Sequence, residues 1–383
     1  MENKWEIKEL DEIVVINPTE HLKKGVKSKK IGMEKLQPYC RDIPDYEISE
    51  YSGGAKFRNG DTIMARITPC LENGKIAMVN VLEPDEVGFG STEYIVFRAK
   101  ENITTADFVY YLVCSSIVKE PAIKSMVGSS GRQRVQTDVI KKLNIALPPY
   151  NEQKKIGQIL KGLDDKIKLN NEINSNLEQQ AQAIFKSWFV DFEPYGGVMP
   201  FDWQVSTLGK ISDMSAGGDK PDITSEIETE NCRVPIYSNG ITEEGLYGYT
   251  DKARIFDESV TVSARGTIGY VCLRQVPYVP IVRLISLIPK KELVSAKYLY
   301  LFLKQLHIAG TGTTQQQLTV PNFKGTEILI PTSEIMSKFT DVVNPFYEKI
   351  LDNKAEIKKL CSLRDTLLPK LMSGEIDLSN ISI

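Results

Sequence analysis

The chain has 383 residues, 42% of them hydrophobic and 25% charged, with a formal net charge of −3. That is enough material for two cores of ordinary domain size, and the net charge has the wrong sign for a protein coated in nucleic-acid-binding surface. No run approaches the roughly 18 apolar residues of a membrane span, and the start MENKWEIKEL reads as neither signal nor transit peptide. Six dispersed cysteines without C-x-x-C, beside only His21 and His307, argue against a disulfide framework or structural zinc.

The first half opens on Trp5-Glu6-Ile7 and then a basic stretch, His21 to Lys35, with Lys23, Lys24, Lys27, Lys29, Lys30 and Lys35 against Glu34 alone. Such a segment fits a localised phosphate-contact face or a solvated loop. From Asn59, two apolar runs flank a hairpin-like Glu72-Asn73-Gly74 turn, followed by STEYIVFRA and a helix-like DFVYYLVCSSIV. A second basic, glycine-rich segment from Gly128 carries Arg132, Arg134, Lys141 and Lys142 against Asp138.

From Asn151 the pattern turns helical. Ile156, Leu160, Leu163, Ile167, Asn170, Asn174, Leu177, Ala181, Ile184 and Trp188 alternate spacings of four and three, the stripe of a coiled-coil seam. One helix of about 40 residues is predicted, closing with an aromatic surplus, Phe185, Trp188, Phe189 and Phe192, that either packs on the next domain or docks a partner protein. The Pro- and Gly-rich 193–202 then mark a boundary.

The second half repeats the first. With an offset of 183, Val135 falls on Leu318, Ile140 on Phe323, Lys141 on Lys324, Pro148 on Pro331 and Lys155 on Lys338; Trp203-Gln204-Val205 answers Trp5-Glu6-Ile7. A duplicated module is the reading. The second helix repeats the seam, with Arg364 its one obvious fault. Two matched seams are most simply buried against each other, antiparallel, in a register that sets Asn170 opposite Asn353 so that a buried polar pair fixes alignment.

Catalytic patterns fail. Leu147-Pro148-Pro149-Tyr150 has leucine where an amino-methyltransferase needs a hydrogen-bonding Asn or Asp, and no strand with G-x-G stands upstream. Gly74-Lys75 lacks the rest of a phosphate loop, and the Pro-Asp dipeptides lack a following nuclease triplet. A non-catalytic protein is expected.

Two modules, each followed by a proline-bounded helix, the first opening with Leu-Pro-Pro-Tyr-Asn-Glu-Gln-Lys-Lys-Ile and the second departing from it at Thr332 and Ile335, plus Gly-Asp-Thr-Ile, Gly-Lys-Ile-Ala and Ser-Thr-Glu-Tyr in the first module, resemble the specificity subunit of type I restriction-modification systems over nearly the whole chain. The resemblance implies an α+β architecture: two pseudo-two-fold-related α/β target-recognition domains, 1–150 and 193–332, separated by two long antiparallel coiled-coil helices, 151–192 and 333–375, with a tail at 376–383. Each domain would read one half of a bipartite asymmetric DNA target, and the helices would set the spacer and dock modification subunits. Two modification subunits carrying S-adenosylmethionine and restriction subunits using ATP and Mg would supply the chemistry, placing the chain in the cytoplasm with the nucleoid. A two-domain adaptor that reads no DNA is the alternative, although it has no need of basic glycine-rich loops at matched positions.

Base readers are expected on polar loops that differ between the copies. In the first module these are Arg66, Lys75, Ser91, Thr92, Glu93, Arg132, Gln133 and Arg134; in the second, Arg265, Thr267, Tyr270, Gln315, Gln316 and Gln317. Arginine suits guanine and glutamine suits adenine by bidentate geometry. Each residue is equally open to a phosphate contact, the role expected of Lys23, Lys24, Lys27, Lys29, Lys30, Lys141 and Lys324.

Overall fold

A computed structural model describes residues 5–308 and 317–378. The chain forms two compact units, Met1–Leu169 with Glu356–Ile383, and Asn170–Ala355. Among the described residues no helix is long and apolar enough to cross a membrane.

In the first unit, Thr62–Ala65 is one of the two inner strands of an antiparallel sheet in the order Val14–Ile16, Tyr94–Ala99, Thr62–Ala65, Ile76–Met78. All four residues of Thr62–Ala65 are buried, so the strand reads as a continuous apolar run rather than an alternation. The helix Ala106–Cys114 lies among the same core residues, its N-terminus capped by the Thr105 hydroxyl accepting from the Phe108 amide. Gly74 closes the hairpin between Thr62–Ala65 and Ile76–Met78. It has φ of +72° and a Cβ there would lie 2.6 Å from the Tyr39 ring, so only glycine fits.

A second sheet holds Glu47–Glu50, Lys27–Ile31, Gly88–Gly90 and Lys56–Phe57, in that order. The basic stretch is therefore partly a strand. This corrects the reading of Lys29 as a phosphate contact: its side chain is only 10% exposed, donates to the Val81 carbonyl at 2.8 Å and pairs with Glu83 and Glu86 at 3.3 and 3.1 Å. An ammonium already held by two carboxylates has little left for phosphate.

The second unit repeats this order. Its main sheet runs Ser212–Ala216, Ile285–Pro289, Ser259–Val262, Val271–Arg274, backed by the helix Ala296–Gln305 with Ser295 as cap. In each unit a two-stranded ribbon, Glu6–Glu9 with Asn144–Leu147 or Gln204–Thr207 with Glu327–Ile330, leads into a long helix. The long helices are Tyr150–Phe189 and Ser333–Met372, 40 residues each. Gln153 explains its place in the entry phrase: it is buried, and its amide donates to the carbonyls of Pro148 and Ile103 at 2.9 and 3.0 Å.

Within each unit the two helices run antiparallel. In the first, Ile156 and Leu160 share a core with Leu367 and Leu371, Asp164 bonds Arg364 at 2.8 Å, and Lys166 meets Glu356 at 3.7 Å. Arg364 is thus no fault in the seam. It answers Asp164, which lies just off the apolar stripe, and Tyr111 donates to the same carboxylate at 2.6 Å.

In the second unit Asn170 and Asn353 are both buried, but Asn353 donates to Asn174 at 2.8 Å. The register differs from the expected one by one helical turn, a slide of about 6 Å. A heptad stripe matches itself nearly as well after such a slide, so apolar spacing alone does not choose.

Of the two roles open to Phe185, Trp188, Phe189 and Phe192, packing on the next domain holds and docking of a partner protein is corrected. They pack inside the second unit: Phe189 lies 4.9 Å from both Tyr298 and Phe339, Trp188 is 6.0 Å from Phe339, and Phe192 is 5.9 Å from Trp203. The aromatic surplus is domain core rather than a partner's docking face.

Candidate nucleic-acid interface

In the first unit the chain leaves the buried strand Thr62–Ala65 at Arg66, and three backbone closures gather other segments there. The Arg66 amide donates to the Glu93 carbonyl at 2.9 Å, the Val135 amide to the Arg66 carbonyl at 2.9 Å, and the Thr68 amide to the Gln133 carbonyl at 3.0 Å. Thr68 also accepts from the Gln133 amide through its hydroxyl at 2.9 Å, a contact not anticipated from the sequence. Gly128 permits the loop before Arg132: its φ is +139° and a Cβ would lie 2.9 Å from the Arg132 carbonyl oxygen.

These closures bring Arg66, Glu93 and Arg134 into one cluster. Arg134 donates through Nε to both Glu93 oxygens at 3.0 Å and through Nη2 to Oε1 at 2.7 Å, while Arg66 Nε stands 3.9 Å from Oε2. The Arg134 bonds hold the Glu93 carboxyl below its ordinary value, burial opposes them, and the charges of Arg134 and Arg66 add to the lowering. Ser91 accepts from the Glu93 amide at 3.0 Å and so shapes the turn, in which Thr92 is exposed; Arg132, two residues before Arg134, is exposed as well.

The second unit builds the same place from different chemistry. Arg265 stands three residues beyond the end of the strand Ser259–Val262, and the Leu318 amide donates to the carbonyl of the preceding Ala264 at 3.1 Å, where in the first unit the Val135 amide takes the carbonyl of Arg66 itself. Exposed Arg265 donates to the Gln317 amide oxygen at 3.2 Å. Gln317 stands at the offset position of Arg134, so the pairing is Arg66 with Glu93 and Arg134 in one unit and Arg265 with Gln317 in the other. An Ala-Arg dipeptide falls near the strand end in both units, Ala65-Arg66 and Ala264-Arg265, one residue out of step with the shared main-chain closure. Thr267 is exposed and accepts from the Tyr270 amide at 3.2 Å. Burial pushes the Tyr270 hydroxyl up to about 12, keeping it a donor at neutral pH. Gln315 and Gln316 lie outside the described residues.

Other residues singled out in the sequence do not join these clusters. Lys75 donates to the Met33 carbonyl at 2.8 Å, which makes it a tie between segments rather than a base reader. Lys23, Lys24, Lys27 and Lys324 are exposed, Lys30 faces Glu47 at 3.5 Å, and Lys141 faces Asp138 at 2.9 Å.

The family model described as the type I restriction modification DNA specificity domain matches residues 2–179 and again 200–360. The chain belongs to this family. It is 28% identical to the type I restriction enzyme HindI specificity subunit of Haemophilus influenzae, an alignment spanning 86% of this chain and 90% of the relative. It is likewise 28% identical to the type I restriction enzyme MjaIX specificity subunit of Methanocaldococcus jannaschii, over 88% and 85%. The fold matches the crystal structure of a type I restriction-modification system S subunit from M. genitalium with a TM-score of 0.61 at 18% identity, covering 97% and 96% of the two chains. Two α/β modules joined to long helices are thus the architecture of the family member as well as of its sequence pattern.

Proposed function

We propose that this chain is the sequence-reading, non-catalytic subunit of a type I restriction-modification complex. Each unit reads one half of a bipartite, asymmetric DNA target, and the 40-residue helices fix the spacer. Methylation and cleavage are carried out by modification subunits with S-adenosylmethionine and by restriction subunits with ATP and Mg. The observation that supports this reading best is the repeated closure at the strand end: the family domain occurs twice, and both copies carry an arginine at this closure, Arg66 on the accepting residue and Arg265 one residue beyond it, each with a different loop partner. A shared frame with unequal polar groups is what two unequal half-sequences require.

The test is methylation mapping in cells carrying the intact system, with and without this chain, beside binding of the purified complex to target and random duplexes at several salt concentrations. Adenine methylation at one split sequence that depends on the chain supports the reading. Equal affinity for target and random DNA at every salt concentration refutes it.

A further inference from the structure

We propose, resting on the DNA-reading function above, that Arg134 reads a guanine in the half-site of the first unit and that Glu93 is its positioning residue rather than a reader. The three bonds to Glu93 occupy the Nε and Nη2 side of the guanidinium. Among the described residues no bond to the opposite edge, Nη1 with the second Nη2 hydrogen, is found, and the side chain is 43% exposed. Two parallel donors on that edge match the O6 and N7 acceptors that guanine presents in the major groove. Glu93 is half as exposed, 24%, and both its oxygens already accept from Arg134, so its carboxylate is turned inward.

A long, freely rotating arginine reaches many phosphates, whereas one clamped side-on by a carboxylate has its fork aimed before DNA arrives. The contrast with the second unit strengthens the assignment. Its equivalent of Arg134 is Gln317, a neutral amide whose oxygen accepts from Arg265, so that position brings no second guanidinium to be balanced by a carboxylate. Arg66 is the weaker choice of reader, since its Nε is buried and stands 3.9 Å from Glu93.

The experiment uses the full chain co-purified with its modification subunits and duplexes carrying the mapped target, in which each guanine of the two half-sites is replaced in turn by 7-deazaguanine. That base lacks the N7 acceptor and otherwise pairs normally. At one guanine the unaltered complex is expected to lose roughly 10-fold in affinity. Arg134→Ala should bind the normal target on the order of 10- to 100-fold more weakly and be indifferent to 7-deazaguanine at that position. Glu93→Gln should show a reduced response at that same guanine, Glu93→Asp an intermediate one, and both should retain the base preferences of the other half-site, which reports that the chain is folded.

Undiminished sensitivity in Glu93→Gln would overturn the positioning role. A loss in Arg134→Ala that is equal on target and random DNA would make Arg134 a phosphate contact and overturn the reader. Failure of the unaltered complex to prefer its mapped target is a different result, and it would overturn the DNA-reading function itself.

Discussion

Arg364→Ala tests the account of the helix seam in the first unit. Arg364 is 14% exposed and Asp164 9%, and their bond is 2.8 Å long. In the variant the carboxylate keeps the Tyr111 hydroxyl at 2.6 Å but loses its cation. Removing one member of a buried pair costs about 3 to 5 kcal/mol, because the remaining charge stays desolvated. A cavity of about 280 Å³ lined by Tyr111, Asp164 and Arg364 admits water to the site, which places the expectation at the lower end, about 3 kcal/mol. The triple change Asp164→Leu, Arg364→Met and Tyr111→Phe removes every polar side-chain atom of the triad while roughly keeping volume, and should fall within about 1 kcal/mol of the parent. A two-unit chain has no single melting temperature, so the readout is amide exchange in 150–169 and 106–114, where about 3 kcal/mol accelerates exchange roughly 100-fold. Acceleration under about fivefold, or a triple variant as labile as Arg364→Ala, would refute the argued role of the pair.

Three further outcomes are expected. Inserting seven residues between Asn174 and Ser175 keeps the seam and adds about 10 Å to the first long helix, so methylation mapping should find a spacer longer by one to a few base pairs with both half-sequences intact; an unchanged spacer at full activity would remove the helices as ruler. Neutralising exposed Lys23 or Lys24 should lower the salt dependence of DNA binding by about one counterion per lysine, whereas Lys29→Met should leave that slope unchanged and speed amide exchange in Lys27–Ile31; a smaller slope for Lys29→Met would contradict its buried pairing. Glu93 has its carboxyl lowered from 4.5 in the folded chain, so its contribution to stability is present above that value and lost as pH falls through the folded one; Glu93→Gln should therefore flatten the acid limb of amide protection in Thr62–Ala65 and Tyr94–Ala99 against pH, and parallel curves for variant and parent would count against the pairing.

What could be read from residues alone divides along physical lines. The helices were legible because a seam writes itself as spacing, and the duplication because aligned apolar positions recur at one offset. Register was not, since sliding one turn preserves apolar matching and the choice falls to a side-chain bond, Asn353 with Asn174 rather than with Asn170. Charged residues were least legible. Lys29 and Lys23 stand in one basic stretch, yet strand pairing turns the first onto Glu83 and Glu86 and leaves the second in solvent.

The candidate site follows the same division. Arg66 and Arg134 are 68 residues apart in the sequence and meet only because the Val135 amide docks on the Arg66 carbonyl, a bond between main-chain atoms that no side-chain pattern encodes. That closure is common to both units, and so it belongs to the frame that folding demands. What differs is the residue it delivers, arginine clamped by a carboxylate in one unit and glutamine accepting from an arginine in the other. Because the frame is satisfied through the main chain, the side chain at this position is free to vary without cost to the fold. A duplicated reader can therefore come to recognise two unequal sequences while its two cores stay alike.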